Sequence, residues 1–300
     1  MNAILRELFM LLTAASRTCC RTPSSLHTLT RPLRRKGNPR MKKTFGVALM
    51  MVSAFPLHAQ SDVKSGATEL NEGILSITFG ALYSTRSLTG GIATRPELGP
   101  LLDVSYVRGG FFASTLSGVG YNFVKTKQLM VGAGLGYLPE REAAGDSRLR
   151  GLGDVAASPT VMLTTVWNLL DFMSVGATLT TASKRANGSF LTLGTSLGFP
   201  IYGKLNGSVD LAAELANRNY AQTYYGVTAA QSMSSGYREL RPKAGLINTS
   251  ASVGLNYELT KEWSVGGSIG ATRRQGDAAK SPIFTRRTEY DASLYGSYTF

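Results

Sequence analysis

The sequence predicts an all-β, transmembrane antiparallel β-barrel of about twelve strands, with ten as the alternative count. Two observations predict it. Segment after segment alternates apolar residues with small polar ones, and the links between segments alternate short with long. The clearest segment closes the chain. From Glu289 to Phe300 it reads E-Y-D-A-S-L-Y-G-S-Y-T-F, so Tyr290, Ala292, Leu294, Gly296, Tyr298 and Phe300 share one strand face. Glu289, Asp291, Ser293, Ser297 and Thr299 share the other with Tyr295. One face suits lipid and the other water, and lipid admits strands only where a closed barrel pairs every backbone group.

The beginning of the chain reads as an export leader. Met41, Lys42 and Lys43 form a positive segment, Phe45 to Leu57 is an apolar run of signal-peptide length, and Ala59 offers a small residue before Gln60. Residues 41–59 are therefore expected to be a signal peptide and 60–73 a periplasmic lead-in to a barrel over 74–300. Residues 1–40 are expected to be a mis-assigned upstream extension. The 32 Lys and Arg include ten before residue 61, and of the 19 Asp and Glu only Glu7 precedes it. From residue 61 onward 22 basic residues thus face 18 acidic ones, a net +4 that no longer argues for nucleic acid or another polyanion. The two cysteines, Cys19 and Cys20, and the two histidines, His27 and His58, also fall before that point.

The alternation begins at Ile74, with Leu75, Ile77, Phe79, Ala81 and Tyr83 against Ser76, Thr78, Gly80 and Ser84. Gly90, Gly91, Pro96, Gly99 and Pro100 break it over 87–100. Residues 101–124 carry strand formers with candidate turns at Gly109-Gly110 and Gly118. Both chain ends on the periplasmic side require an even count, and splitting this stretch near Gly118 gives twelve. Gln128 to Leu138, Val155 to Trp167, Phe172 to Ser183, Ser189 to Tyr202, Leu205 to Ala216, Ile247 to Leu259 and Trp263 to Thr272 follow. Pro159 predicts a bulge or an irregular edge in its segment. Links at 125–127, 168–171, 203–204 and 260–262 are short, whereas 139–154, 217–246 and 274–288 are long and polar. Short turns belong to the periplasm and long loops to the exterior. A soluble β-sandwich would also alternate, but its exterior would be rich in Lys and Glu where this chain repeats Gly, Ser, Thr and Asn.

Charged residues concentrate in the loop Pro139 to Asp154, which bears Glu140, Arg141, Glu142, Asp146, Arg148, Arg150 and Asp154. Its spacing fits no calcium loop, and interleaved arginines compete for the carboxylates, so a solvated or lumen-facing salt-bridge network is expected. Arg273, Arg274, Asp277, Lys280, Arg286 and Arg287 read as a charged external loop. Gly132, Gly134 and Gly136 lie on a strand face and form no phosphate loop, because no helix follows. Without histidine or cysteine beyond the leader, histidine-dependent hydrolysis and zinc chemistry are excluded. No catalytic residue, cofactor or metal ligand is expected.

The run Arg141-Glu142, Asp146, Arg148-Leu149-Arg150-Gly151-Leu152-Gly153-Asp154, followed by Gly276-Asp277-Ala278-Ala279 and Ser281-Pro282, resembles the MipA/OmpV family of outer-membrane proteins. Phe111-Phe112-Ala113, Gly120-Tyr121-Asn122 and Tyr225-Gly226-Val227 add to the resemblance, which covers 74–300. It implies a non-enzymatic outer-membrane scaffold that joins a lytic transglycosylase to a penicillin-binding protein in cell-wall synthesis. A small-solute channel and a surface ligand-binding barrel are the alternatives. Tyr298 and Phe300 resemble the terminal signal read by the barrel-assembly machinery. Outer-membrane lipid is the remaining expected partner.

Overall fold

The computed structural model describes residues 73–85 and 96–300. The expected upstream extension and signal peptide, and the lead-in up to residue 72, lie outside the described residues. Twelve strands follow one another: β1 (Ile74–Ser84), β2 (Glu97–Arg108), β3 (Phe111–Ser114), β4 (Gly118–Lys125), β5 (Leu129–Leu138), β6 (Ser158–Leu170), β7 (Met173–Ala182), β8 (Ser189–Tyr202), β9 (Leu205–Ala216), β10 (Gly245–Glu258), β11 (Trp263–Arg274) and β12 (Thr288–Thr299). Each pairs antiparallel with its neighbour in sequence, and β12 returns to β1 to close the barrel. The seam runs from Ser76↔Thr299 to Ser84↔Asp291, and the Phe300 N–H extends it by donating to the Leu75 carbonyl at 2.9 Å.

Period-two alternation dictates the two surfaces. Leu163, Leu211, Leu255, Ile269 and Leu294 point outward and are exposed. In water such a continuous apolar belt would drive aggregation, and in a bilayer it is the lipid contact. Aromatic residues gather at its short-turn rim, among them Trp167, Phe172, Phe199, Tyr257 and Trp263, and Tyr83, Tyr137 and Tyr290 mark the opposite rim. Inward positions are small and polar, and they bond across strands: Ser76 Oγ to Ser105 Oγ at 2.7 Å, Thr78 Oγ1 to Ser297 Oγ at 3.0 Å, and Ser268 Oγ to Ser293 Oγ at 2.8 Å.

Four expectations are corrected by the fold. The break over 87–100 ends sooner, because β2 already begins at Glu97 and carries Gly99 and Pro100 within it. Pro159 makes no bulge: it pairs in register with Tyr137 and its carbonyl accepts from the Ser183 N–H at 2.8 Å. As the second residue of β6, its missing N–H falls at the strand end, where little ladder is lost. The bulge of β6 lies at the other end, between Asn168 and Leu170. Ile247, which the alternation of its segment puts on the lipid face with Val253, Leu255 and Tyr257, leaves that face, since a register shift between Leu246 and Asn248 turns it inward until only 2% remains exposed. Finally, the link between β9 and β10 contains two helices, α1 (Arg218–Tyr225) and α2 (Ala229–Ser235).

Closure is reinforced by rings at the short-turn end of the seam. Phe79 meets Trp263 edge-on at 6.2 Å, Trp263 meets Tyr298 at 4.9 Å, and Tyr298 meets Phe300 edge-on at 4.7 Å. Such contacts contribute about 0.5–1.5 kcal/mol each beyond buried area. Trp263→Ala is therefore expected to lower the unfolding free energy by roughly 1–3 kcal/mol through its two ring contacts. Urea titration of the barrel in phosphatidylcholine vesicles measures this, and an unchanged midpoint would exclude the ring cluster from barrel closure.

Candidate functional site

The long-loop end of the barrel is roofed by its own loops. Three of them, 139–157, 217–244 and 275–287, pack into one layer with two small apolar cores. Leu138, Ala182, Phe190, Ala216, Tyr220, Tyr225, Ile247 and Ala278 form the first at the strand ends, with Tyr224 and Phe284 against it. Leu149, Leu152, Val227 and Ile283 form the second, with Ala143, Tyr237 and Phe284 around it. Leu149, Val227 and Ile283 are each 0% exposed, which is the packing of a soluble protein interior set on top of a membrane barrel.

Local sequence chemistry builds the layer. Asn217 caps α1 by accepting from the Tyr220 N–H at 2.9 Å. Tyr220, Ala221, Tyr224 and Tyr225 then share a helix face. Rings link it to its surroundings: Phe190 to Tyr220 at 4.9 Å, Tyr220 to Tyr224 at 4.5 Å and Tyr225 to Phe284 at 5.5 Å. A capping box of Thr228 and Gln231 starts α2. The Gln231 amide also donates to the Leu152 carbonyl, tying the helix to the first loop. Gly151, at φ +81°, accepts from Ser234 Oγ at 2.6 Å; a Cβ there would meet the Ser234 backbone at 2.6 Å, so only glycine fits. Each loop is cinched at its base by a two-residue bridge, Arg141↔Val155 in one and Val227↔Leu240 in the other.

The residues carrying the family resemblance nearly all work here. Arg141 is buried and donates to the Thr223 and Tyr224 carbonyls at 3.2 and 3.3 Å, in the last turn of α1. It thereby neutralises the negative end of that helix. Asp146 accepts from the Arg148 N–H at 2.9 Å, Asp154 from the Ala143 N–H at 2.7 Å, and Arg148 reaches Thr285 Oγ1 at 2.9 Å. Ser281 Oγ donates to the Tyr225 carbonyl at 2.7 Å. Asp277 accepts from the Lys243 N–H at 3.0 Å and pairs with Lys280 at 2.9 Å. Leu149 and Leu152 fill the second core. Glu142 and Gly153 are exposed members of the same loop, while Gly276 and Pro282 flank Asp277 and Ser281. Tyr298 and Phe300 sit at the opposite end, in the ring cluster of the seam.

The expected salt-bridge network over 139–154 does not form. Among the described residues no ion pair involves that loop. Asp146 and Asp154 instead accept from backbone N–H groups, and Arg141 donates to backbone carbonyls. Arg274 is likewise no surface charge: it is 5% exposed, pairs with Glu289 and stacks 3.7 Å over the Phe284 ring. Sequence reasoning missed Tyr220, and it placed Arg274 in an exposed loop rather than in the buried layer. The Asn217 and Thr228-x-x-Gln231 cap patterns were the available signal for the helices.

Burial pulls the Arg141 guanidinium below its ordinary value, with Tyr224 and Tyr225 acting in the opposite direction. Burial raises the Tyr224 phenol, offset in part by Arg141. The Lys243 N–H, and then Lys280, hold the Asp277 carboxyl below its ordinary value.

The sequence model of the family described as MltA-interacting protein MipA matches residues 77–300. The chain belongs to that family. No curated protein matches the sequence. Among solved structures, an outer membrane channel from Pseudomonas putida F1 is similar over 79% of this chain and 100% of its own, at 11% identity and a TM-score of 0.42. The outer membrane channel DcaP of Acinetobacter baumannii is similar over 76% and 96%, at 10% identity and a TM-score of 0.39. The KdgM porin is similar over 76% and 99%, at 11% identity and a TM-score of 0.34. The MipA-family match runs from Ile77, within β1, through β12 and takes in the whole loop layer, and the protein is an outer-membrane barrel.

Two outcomes are expected. Arg141→Met keeps bulk but leaves the end of α1 without its donors; hydrogen bonds from a charged group contribute about 1.5–3 kcal/mol each. Limited proteolysis should cut 217–244 markedly faster while the heat-modifiable barrel band is unchanged, and equal cutting rates would remove Arg141 from the loop layer's support. For Asp277 the folded value is depressed, so its contribution is full above the unfolded value near about 3.9 and is lost as pH falls through the folded value. The protection of the Lys243 amide, relative to its intrinsic exchange rate, should thus fall only below about pH 4, and Asp277→Asn should remove that fall.

Proposed function

We propose that this MipA-family barrel is a non-enzymatic scaffold of the outer membrane. Its periplasmic rim holds a lytic transglycosylase beside a penicillin-binding synthase, so that cutting and building of the cell wall stay coupled. The observation that carries this reading is the family itself, described by its interaction with MltA over a match that takes in every strand. The geometry is compatible with it. The loops over the outer mouth are engaged with one another, and the short-turn rim offers a separate accessible polar surface. That rim presents Arg108, Lys125, Lys127, Lys204 and Lys261 against Asp171, Glu258 and Glu262, all exposed. A basic excess of this kind favours a partner with an acidic face.

A small-solute channel is the second reading, favoured by the Gly, Ser and Thr lining of a lumen wider than an eight-stranded barrel encloses. Both readings are tested with the purified full chain. The scaffold predicts that it retains a lytic transglycosylase above an unrelated outer-membrane barrel. Retention should weaken with salt and with the charge reversals Lys125→Glu, Lys127→Glu and Lys261→Glu. Retention no better than the unrelated barrel contradicts it. In planar bilayers the scaffold predicts silence, and steady single-channel conductance would move the function to the channel.

A further inference from the structure

The outer rim carries a group of arginines that no carboxylate answers. Exposed Arg273 ends the outward face of β11, following Ile269 and Ala271 by the same alternation that buries Arg274 on the other side. Ala271 pairs with the rim residue Tyr290, and Arg273 pairs with Thr288, two residues further out. At about 3.4 Å per residue this sets Arg273 roughly 7 Å along the strand beyond the aromatic rim, at headgroup depth. Its neighbours there are polar. Thr249 stands beside Arg273 on β10, and its hydroxyl accepts from the Gln275 amide at 2.9 Å.

Arg286 and Arg287 are brought to the same corner by Arg274. The Arg274 N–H donates to the Arg287 carbonyl at 2.8 Å, and its guanidinium donates to the Arg286 carbonyl. Glu289 and the Phe284 ring hold that guanidinium in place, so the backbone bearing two exposed arginines is pinned to the end of β11. Arg148 arrives from the first long loop and donates to Thr285 Oγ1, next to Arg286, at 2.9 Å.

Counter-charge is missing from this corner. Among the described residues Arg273, Arg286 and Arg287 enter no ion pair, and the adjacent acid on β12, Glu289, is taken by Arg274. Residues 86–95, which link β1 to β2, include no Asp or Glu. Like charges gathered without an acid repel one another, and a bound anion relieves that repulsion. A guanidinium grips phosphate through two parallel N–H bonds, and at headgroup depth the phosphate is that of a lipid. Toward the bilayer centre, Ile269 and Leu294 are 67% and 72% exposed and offer a surface to acyl chains. We propose that Arg273, Arg286 and Arg287 bind the phosphate of an outer-leaflet lipid whose chains lie against Ile269 and Leu294. Neither the short-turn rim nor the lumen takes part, so this site stands whichever function the barrel serves.

Native mass spectrometry of the full chain, released from phosphatidylcholine nanodiscs that contain lipid A, tests this. The protein should retain lipid A well above lipid A stripped of its phosphates. Arg273→Gln removes a guanidinium that has no partner among the described residues and should lower retention about fivefold. Adding Arg286→Gln and Arg287→Gln should bring retention down to that of the phosphate-free lipid. Arg218→Gln, at an exposed position of the second long loop, should leave retention unchanged. The heat-modifiable band checks that each variant is folded. Equal retention of the phosphate-free lipid, or a loss in Arg218→Gln as large as in Arg273→Gln, would overturn the site. Displacement of lipid A by excess inorganic phosphate would overturn the lipid as its occupant.

Discussion

A backbone group without a hydrogen bond is costly in hydrocarbon, and the rest of this structure depends on that constraint. It forces the sheet to close, so β12 must find β1, and Phe300 adds one further bond to the seam. Closure in turn divides every strand into two faces. The outward face is free to carry Leu163, Leu211 and Leu294, while the inward face carries hydroxyls that pair across strands, such as Thr78 with Ser297 and Ser268 with Ser293.

A different physics governs the long-loop end. There the chain meets water, and the loops fold as a small soluble unit would, with buried leucines and capped helices. Buried Arg141 is the clearest instance. Its charge is matched by the carbonyl end of α1 rather than by a carboxylate, which makes the first and second long loops depend on each other. Asp277 and Ser281 bind the third loop to the second. The outer mouth is thereby covered by three loops that depend on one another.

Much of the barrel was legible in the sequence because a period of two leaves little freedom. β8 and β9 were read to the residue, at Ser189–Tyr202 and Leu205–Ala216. The split near Gly118 followed from parity, although parity gave no warning that β3 is too short to cross. Errors arose where tertiary contacts override the alternation. Ile247 has the period of a lipid-facing residue, yet a bulge draws it into the loop core. Pro100 reads as a breaker, yet it lies within β2, on a stretch where, among the described residues, only β1 pairs with it. The signature residues of 139–154 were visible as a cluster, but charge alone pointed to mutual salt bridges. Their partners are backbone groups of loops distant in sequence, which no local pattern reveals.

The seam is the element on which closure rests, and the lack of cysteine from residue 61 onward makes it directly testable. Cysteines at Thr78 and Ser297, whose hydroxyl oxygens are 3.0 Å apart inside the barrel, should oxidise to an intramolecular bridge in the membrane-inserted protein. The bridged form should then resist the heat-induced shift in mobility, because β1 and β12 can no longer separate. The out-of-register pair of Thr78 and Ser293 should not bridge. Failure of the first pair, or bridging by the second, would contradict the closed register from which every other feature of this barrel follows.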